Sequence, residues 1–246
     1  MTQEYTDSGI DYAITTVQRP GGYIHKTMAS LGPDLPLRLV VGCPDASYLD
    51  AYRCHPQVEI MDLPASQWEE MQKYKVHRRA SWNYWRTLVL GAKRSPCRGL
   101  AIFEDDVKLA RGWRARLGAT ISRLESIAGT NFVLALYIAR SGRPEARCVA
   151  RSFQRYDIDN FWGTQGMYYT DSLRLAFANY LKAEGVDKFR IPYDILLKEF
   201  LKRRNIPLFV AVPTLVQHIG MVSTGLGNFH NTEWFADRLQ RLSERR

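Results

Sequence analysis

The 246-residue chain is 46% hydrophobic and 24% charged, so it can build a substantial core as a globular protein. No stretch approaches the ~20 apolar residues of a membrane span, and Met1-Thr2-Gln3-Glu4 has no signal-peptide pattern. The four cysteines (Cys43, Cys54, Cys97, Cys148) form no CxxC pair, which argues against a zinc module or disulfide framework. These features predict a cytoplasmic protein with reduced thiols. The net charge of +9, with a pI near 9.5, favours anionic partners: nucleic acid, a phosphorylated glycolipid or an acidic surface.

Strand and helix patterns alternate through the first half. Asp11 to Val17 reads as a strand, Tyr23 to Leu31 as a helix, and Leu37 to Val41 and Val58 to Leu63 as further strands. Val76 to Lys93 is a long helix rich in Trp and Arg, Gly99 to Phe103 a fourth strand, and Gly112 to Ile127 another helix. Alternation of this kind predicts an α/β fold with a mostly parallel central sheet flanked by helices. Farther on, Phe132 to Tyr137 and Gly166 to Tyr169 read as strands around a polar excursion from Ala139 to Asn160. Helices are expected at Ser172 to Ala183 and Tyr193 to Arg203, then a strand from Leu208 to Val212. A Gly/Ser/Asn-rich loop at Ser223 to Thr232 precedes a last helix over 232–246. Without a linker or repeat, one domain over 1–246 is expected: a nucleotide-binding half near 11–110 and an acceptor half near 111–230.

The run Phe103-Glu104-Asp105-Asp106-Val107 stands out because an apolar strand ends in adjacent acids. Their mutual repulsion calls for compensation, and Mg²⁺ or Mn²⁺ could supply it while bridging to a substrate's phosphates. The carboxyl end of a strand in an open α/β sheet is also where ligands bind. A solvated acidic turn is the plain alternative. His218, in Val216-Gln217-His218-Ile219-Gly220, is either a core histidine or a second ligand for the same ion as Asp106. Asp194, after Pro192, fits the first turn of a helix either as a capping acid or as a general base. His77 to Arg86 interleaves basic and aromatic residues, suited to phosphates and a nucleobase or simply to an amphipathic helix. Thr16 and Arg19 close the first strand at the same expected edge.

Taken in order, these segments resemble the N-acetylglucosaminyltransferase IV family, glycosyltransferases of the GT-A fold. The residues that carry the likeness are Thr16-Val17-Gln18-Arg19 with the Tyr23 to Leu31 helix, Arg79 and Asn83, Phe103 to Val107, Asp194 to Leu197, and Pro213 to Gly220. The resemblance implies a GT-A-like α/β fold and a nucleotide-sugar donor, UDP-linked. It implies that Glu104 and Asp105 lie near the donor ribose, with Thr16, Arg19, Arg79 and Asn83 also on the donor side. It further implies metal binding by Asp106, assisted by His218, and Asp194 as the base of an inverting transfer. Asn83-Tyr84-Trp85 lacks the acid of the family's Asn-Leu-Asp, and Arg140 to Arg155 has no counterpart.

The leading expectation is therefore a metal-dependent inverting glycosyltransferase. Its acceptor would be anionic, such as hydroxymethylated phage-type DNA or a lipopolysaccharide-like glycan. A nucleotidyltransferase or metal nuclease would use the same acids with Asp45, Asp157 or Asp159 added. A non-catalytic nucleic-acid-binding protein fits the charge but lacks a zinc finger, an RNP motif or a helix-turn-helix signature.

Overall fold

The computed structural model describes residues 9–93, 96–139, 152–188, 191–221 and 231–243. The first half contains β1 (Ile10–Thr16), α1 (Tyr23–Leu31), β2 (Leu37–Val41), a short α2 (Asp50–Arg53), β3 (Val58–Met61), α3 (Ala65–Met71) and α4 (Val76–Leu90). Then come β4 (Gly99–Glu104), β5 (Val107–Leu109), α5 (Trp113–Ala128), β6 (Val133–Ala135), β7 (Phe153–Tyr156) and β8 (Gly166–Thr170). The chain continues through α6 (Asp171–Leu181), α7 (Tyr193–Arg204), β9 (Leu208–Ala211), β10 (Val216–His218) and α8 (Ala236–Ser243).

Eight strands form one sheet in the order β3-β2-β1-β4-β8-β6-β9-β7. The pairs β1–β2, β2–β3, β1–β4 and β6–β9 are parallel, whereas β8 is antiparallel to both neighbours and β7 to β9. The expected α/β class with a mostly parallel sheet holds. The period of two along each strand divides the core between the faces. Tyr12, Ile14, Ala101, Phe103 and Tyr168 belong to one apolar cluster, together with Ile24 of α1 and Leu117 of α5. Ala13, Leu100, Ile102, Met167 and Tyr169 belong to another, with Leu88 of α4, Phe177 of α6 and Leu197 of α7. Helices cover both faces, as a parallel sheet requires.

Two features of this topology aim later residues at the carboxyl end of β4. The antiparallel β8 starts there, so its approach segment runs beside Glu104, whose N–H donates to the Gln165 carbonyl at 3.1 Å. The parallel β9 finishes at the same edge and leads into β10, which pairs antiparallel with β5 as a separate two-stranded sheet.

The structure corrects several expected boundaries. Val107–Leu109 is a strand ahead of the expected Gly112 helix; its alternation of buried Val107, exposed Lys108 and buried Leu109 is too short to register as a period. The Val76 helix ends at Leu90, with Gly91 at its C-cap. α3 is absent from the reading because its seven residues span too few turns for a clear apolar stripe. β7 lies inside the Ala139–Asn160 excursion, where a polar edge strand has no apolar run to mark it. Residues 140–151 and 222–230, with Cys148, fall outside the described residues, as does much of the expected 223–232 loop. Cys43, Cys54 and Cys97 are free thiols. Among the described residues, no helix is long and apolar enough to cross a membrane.

The fully buried Phe103 ring packs edge-on to Trp113 at 5.4 Å between centroids, and Trp113 packs likewise on Tyr12 at 5.5 Å. Phe103→Ala is expected to lower unfolding free energy by about 3–5 kcal/mol in urea titration, since it empties the core under the acidic run.

Candidate active site

β1 and β4 are parallel neighbours, with Thr15 opposite Glu104, so the residues just past both strands meet at one edge. The Thr16 hydroxyl donates to Asp105 Oδ2 at 2.8 Å and the Val17 N–H to the same oxygen at 3.1 Å. The turn itself is held from α1. Thr27 Oγ1 lies 2.8 Å and 2.7 Å from the carbonyls of Asp105 and Val107 and accepts from the Val107 N–H at 3.0 Å. Ser30 Oγ, one turn on, accepts from the Leu109 N–H at 3.0 Å. From the other side, β10 sets His218 opposite Val107, and the Ile219 N–H donates to the Asp106 carbonyl at 2.8 Å. His218 Nε2 stands 3.1 Å from Asp106 Oδ2.

Asp105 and Asp106 are almost fully buried, and one cation faces both. Arg19 places Nη2 2.6 Å from Asp105 Oδ1 and Nη1 2.6 Å from Asp106 Oδ2. Asp106 Oδ1 is buried and accepts no hydrogen bond from another residue. Gly220 passes so close over Asp106 that a β-carbon there would collide with the carboxylate. Glu104 turns another way: its Oε1 accepts from Tyr193 Oη at 3.1 Å and Thr164 Oγ1 at 3.2 Å. Tyr193 stacks on Tyr84 at 4.5 Å, and Tyr84 shares a 2.9 Å hydroxyl contact with Tyr169.

Burial and the neighbouring Asp106 charge push the Glu104 carboxyl up. Burial pushes Asp105 up to about 6 against the pull of Arg19. Burial acts on Asp106 in the same direction, but the His218 hydrogen bond and the Arg19 charge win and hold it below the usual range. Arg19 itself is raised: burial opposes its charge, and Asp105 and Asp106 outweigh that.

The expected residues Thr16, Arg19, Glu104, Asp105, Asp106 and His218 therefore come together. Asn83 adjoins them, its Nδ2 donating to Thr15 Oγ1 at 2.8 Å, and Arg79 lies one turn earlier on the same face of α4. Asp194 occupies the first turn of α7 and its Oδ1 accepts from the Ile195 N–H at 2.9 Å. The contact that ties this turn to the acids is made by the preceding residue, Tyr193. Thr27, Thr164, Tyr193 and Gly220 are additions to the sequence-derived set. Tyr193 could have been suspected from its place beside Asp194, whereas Thr27 looks like any small residue on an apolar helix face. Asp45 and Asp157 accept from nearby backbone N–H groups, and Asp159 pairs with Lys202. None of the three joins the cluster.

Among the described residues, no group of three or more His, Cys, Asp and Glu side chains is arranged to hold a metal ion. Asp106 and His218 nevertheless suit a hard or borderline divalent cation as a partial set. One carboxylate oxygen is unclaimed, an imidazole nitrogen is adjacent, and Mg²⁺-type sites commonly take one or two protein ligands plus phosphate oxygens and water.

Asp105 makes a pH prediction. Its folded value near 6 lies above the ordinary 3.8, so between these values the folded protein holds a proton that the unfolded chain releases. Its contribution to stability is present below this window and is lost as pH rises through it. Asp105→Asn should therefore gain on wild type by about 1–3 kcal/mol in urea titrations between pH 4 and 7.5. An unchanged difference would contradict this environment.

No protein-family model matches the sequence, and no curated protein does either. Among solved structures the chain is similar to the galactosyltransferase LgtC, crystallised with donor and acceptor sugar analogs. The sequence identity is 13% and the TM-score 0.44, covering 77% of this chain and 70% of that one. No residue role follows from a likeness at that level.

Proposed function

We propose that the chain is a metal-dependent glycosyltransferase of GT-A type that takes its sugar from a nucleotide-linked donor, UDP being the expected nucleotide. The observation that carries the reading is the meeting of Arg19, Asp105, Asp106 and His218 at the carboxyl ends of β1 and β4. That edge is the ligand-binding side of an open α/β sheet. Buried carboxylates with one unclaimed oxygen beside a guanidinium suit a diphosphate with its counter-ion. The resemblance to the N-acetylglucosaminyltransferase IV family, carried in part by these same residues and in part by Asp194 to Leu197, points to the same assignment.

On this reading Asp106 and His218 would hold Mn²⁺ or Mg²⁺, which when bound would supply Lewis-acid stabilisation of the departing diphosphate. The chain's own groups do the rest. Asp105, fixed by Thr16 and Val17, orients Arg19 and faces the donor ribose together with Glu104. Thr164 and Tyr193 fix Glu104 in turn. Asn83, bonded to Thr15 near the end of β1, and Arg79, one turn earlier on α4, serve the nucleotide. Asp194, on the rigid start of α7, takes the proton of the acceptor hydroxyl as that oxygen attacks the anomeric carbon with inversion. The basic surface suits an anionic acceptor, either hydroxymethylated DNA or a lipopolysaccharide-like glycan. The nuclease alternative needs further carboxylates from separate elements, and Asp45, Asp157 and Asp159 are engaged elsewhere.

The test is nucleotide release from a panel of UDP-sugars with Mn²⁺ and no acceptor, where water replaces the acceptor. One donor should release UDP, EDTA should stop it, and Asp106→Ala should reduce it at least ~10²-fold. Asp194→Asn should reduce it by about 10²–10⁴-fold, the span of a general base. Gly220→Ala should impair it and also lower the unfolding midpoint, because the added methyl collides with the Asp106 carboxylate. Absence of release and of calorimetric binding across UDP and other nucleotide-sugars would reject the proposal.

A further inference from the structure

We infer that Arg19 is a displaceable internal counter-cation: bridging Asp105 and Asp106, it occupies the Asp106 oxygen that a divalent ion held by Asp106 and His218 needs, and it leaves that oxygen for a diphosphate. The inference deepens the reading above through the shared cation site, but it does not depend on which sugar is moved.

The geometry has three parts. First, the two guanidinium nitrogens lie 2.6 Å from Asp105 Oδ1 and Asp106 Oδ2, so positive charge already sits where carboxylates would draw an ion. The same Asp106 Oδ2 is the oxygen nearest His218 Nε2, so an ion joining Asp106 to His218 would stand against Arg19. Two cations so close in a buried site repel strongly, and the arginine cannot shed its proton to relieve this.

Second, the arginine is incompletely satisfied. Its Nε is buried without a hydrogen-bond partner, although a guanidinium offers five N–H donors. Third, Arg19 is on the connection between β1 and α1, outside any helix or strand, and Gly21 and Gly22 follow at positive φ. A side chain on such a connection can swing without disturbing the sheet. Its fork geometry matches phosphate oxygens as well as carboxylates. Cation and diphosphate would therefore bind as a linked pair, each favouring the other because Arg19 changes partner between them.

The experiment is Mn²⁺ titration of the full chain, followed by electron paramagnetic resonance of the free ion, with no nucleotide present. Wild type should bind Mn²⁺ weakly. Arg19→Gln, verified as folded by circular dichroism, should bind at least about tenfold more tightly because the competing charge is gone. Arg19→Lys keeps the charge and should stay near wild type. Adding UDP should tighten Mn²⁺ binding far more in wild type than in Arg19→Gln, after correction for UDP–Mn²⁺ association in solution.

Equal or weaker Mn²⁺ binding by folded Arg19→Gln would overturn the inference. If Arg19→Gln does not fold, wild type decides. Low-micromolar single-site Mn²⁺ binding without any added anion would overturn the inference, and weak binding rescued by UDP would uphold it. An Arg19 effect without sugar release would reject the transferase reading alone. Sugar release without an Arg19 effect would reject this inference alone.

Discussion

Asp105 and Asp106 are buried side by side where β4 ends, and their charges need a cation to be tolerable in that setting. Arg19 provides it from the loop after β1, and His218 adds a hydrogen bond to Asp106 from β10. These contacts bind together parts of the chain that are distant in sequence. Without them the edge of the sheet would hold unpaired buried charge, a costly arrangement that few folds keep without use. The neighbouring hydrogen bonds of Thr16, Val17 and Thr27 fix the acids so firmly that the site is shaped before a ligand arrives.

The fold around this edge is arranged to deliver polar groups to it. The order β3-β2-β1-β4 brings the ends of parallel strands together, and the reversed β8 starts where they end. That reversal lets Thr164 reach Glu104, while α7 contributes Tyr193 through the aromatic stack on Tyr84. The two apolar clusters beneath are dense with Phe, Tyr and Leu, so the polar edge stands on a rigid base. Asp194 shares that base, one residue from Tyr193.

Much of this was legible in the sequence because the signals were local. The β1 and β4 runs, the α4 and α5 stripes and the acid triplet each announce themselves within one window. Ligand chemistry and the order of the motifs both suggest a link between Asp106 and His218, and the structure brings the two together over more than a hundred residues. The resemblance implies a donor-side Arg19, but nothing local in the sequence marks its bridge between both aspartates. A pairing of that kind depends on parallel strands ending level with each other, which no periodicity encodes. Thr27 and Gly220 leave no local signal for other reasons: one acts through a hydroxyl on an otherwise apolar helix face, the other through the absence of a side chain. β5 and β10 are three residues each, too short for alternation to be read, yet their pairing sets the position of His218.

The most direct test of the account is a crystal structure of the chain with UDP and Mn²⁺. The account predicts the ion against Asp106 and His218, the diphosphate on the ion, and the Arg19 guanidinium turned from Asp105 and Asp106 onto phosphate oxygens. A nucleotide bound away from this edge would contradict it. So would one bound here with Arg19 still bridging both aspartates and no ion beside Asp106.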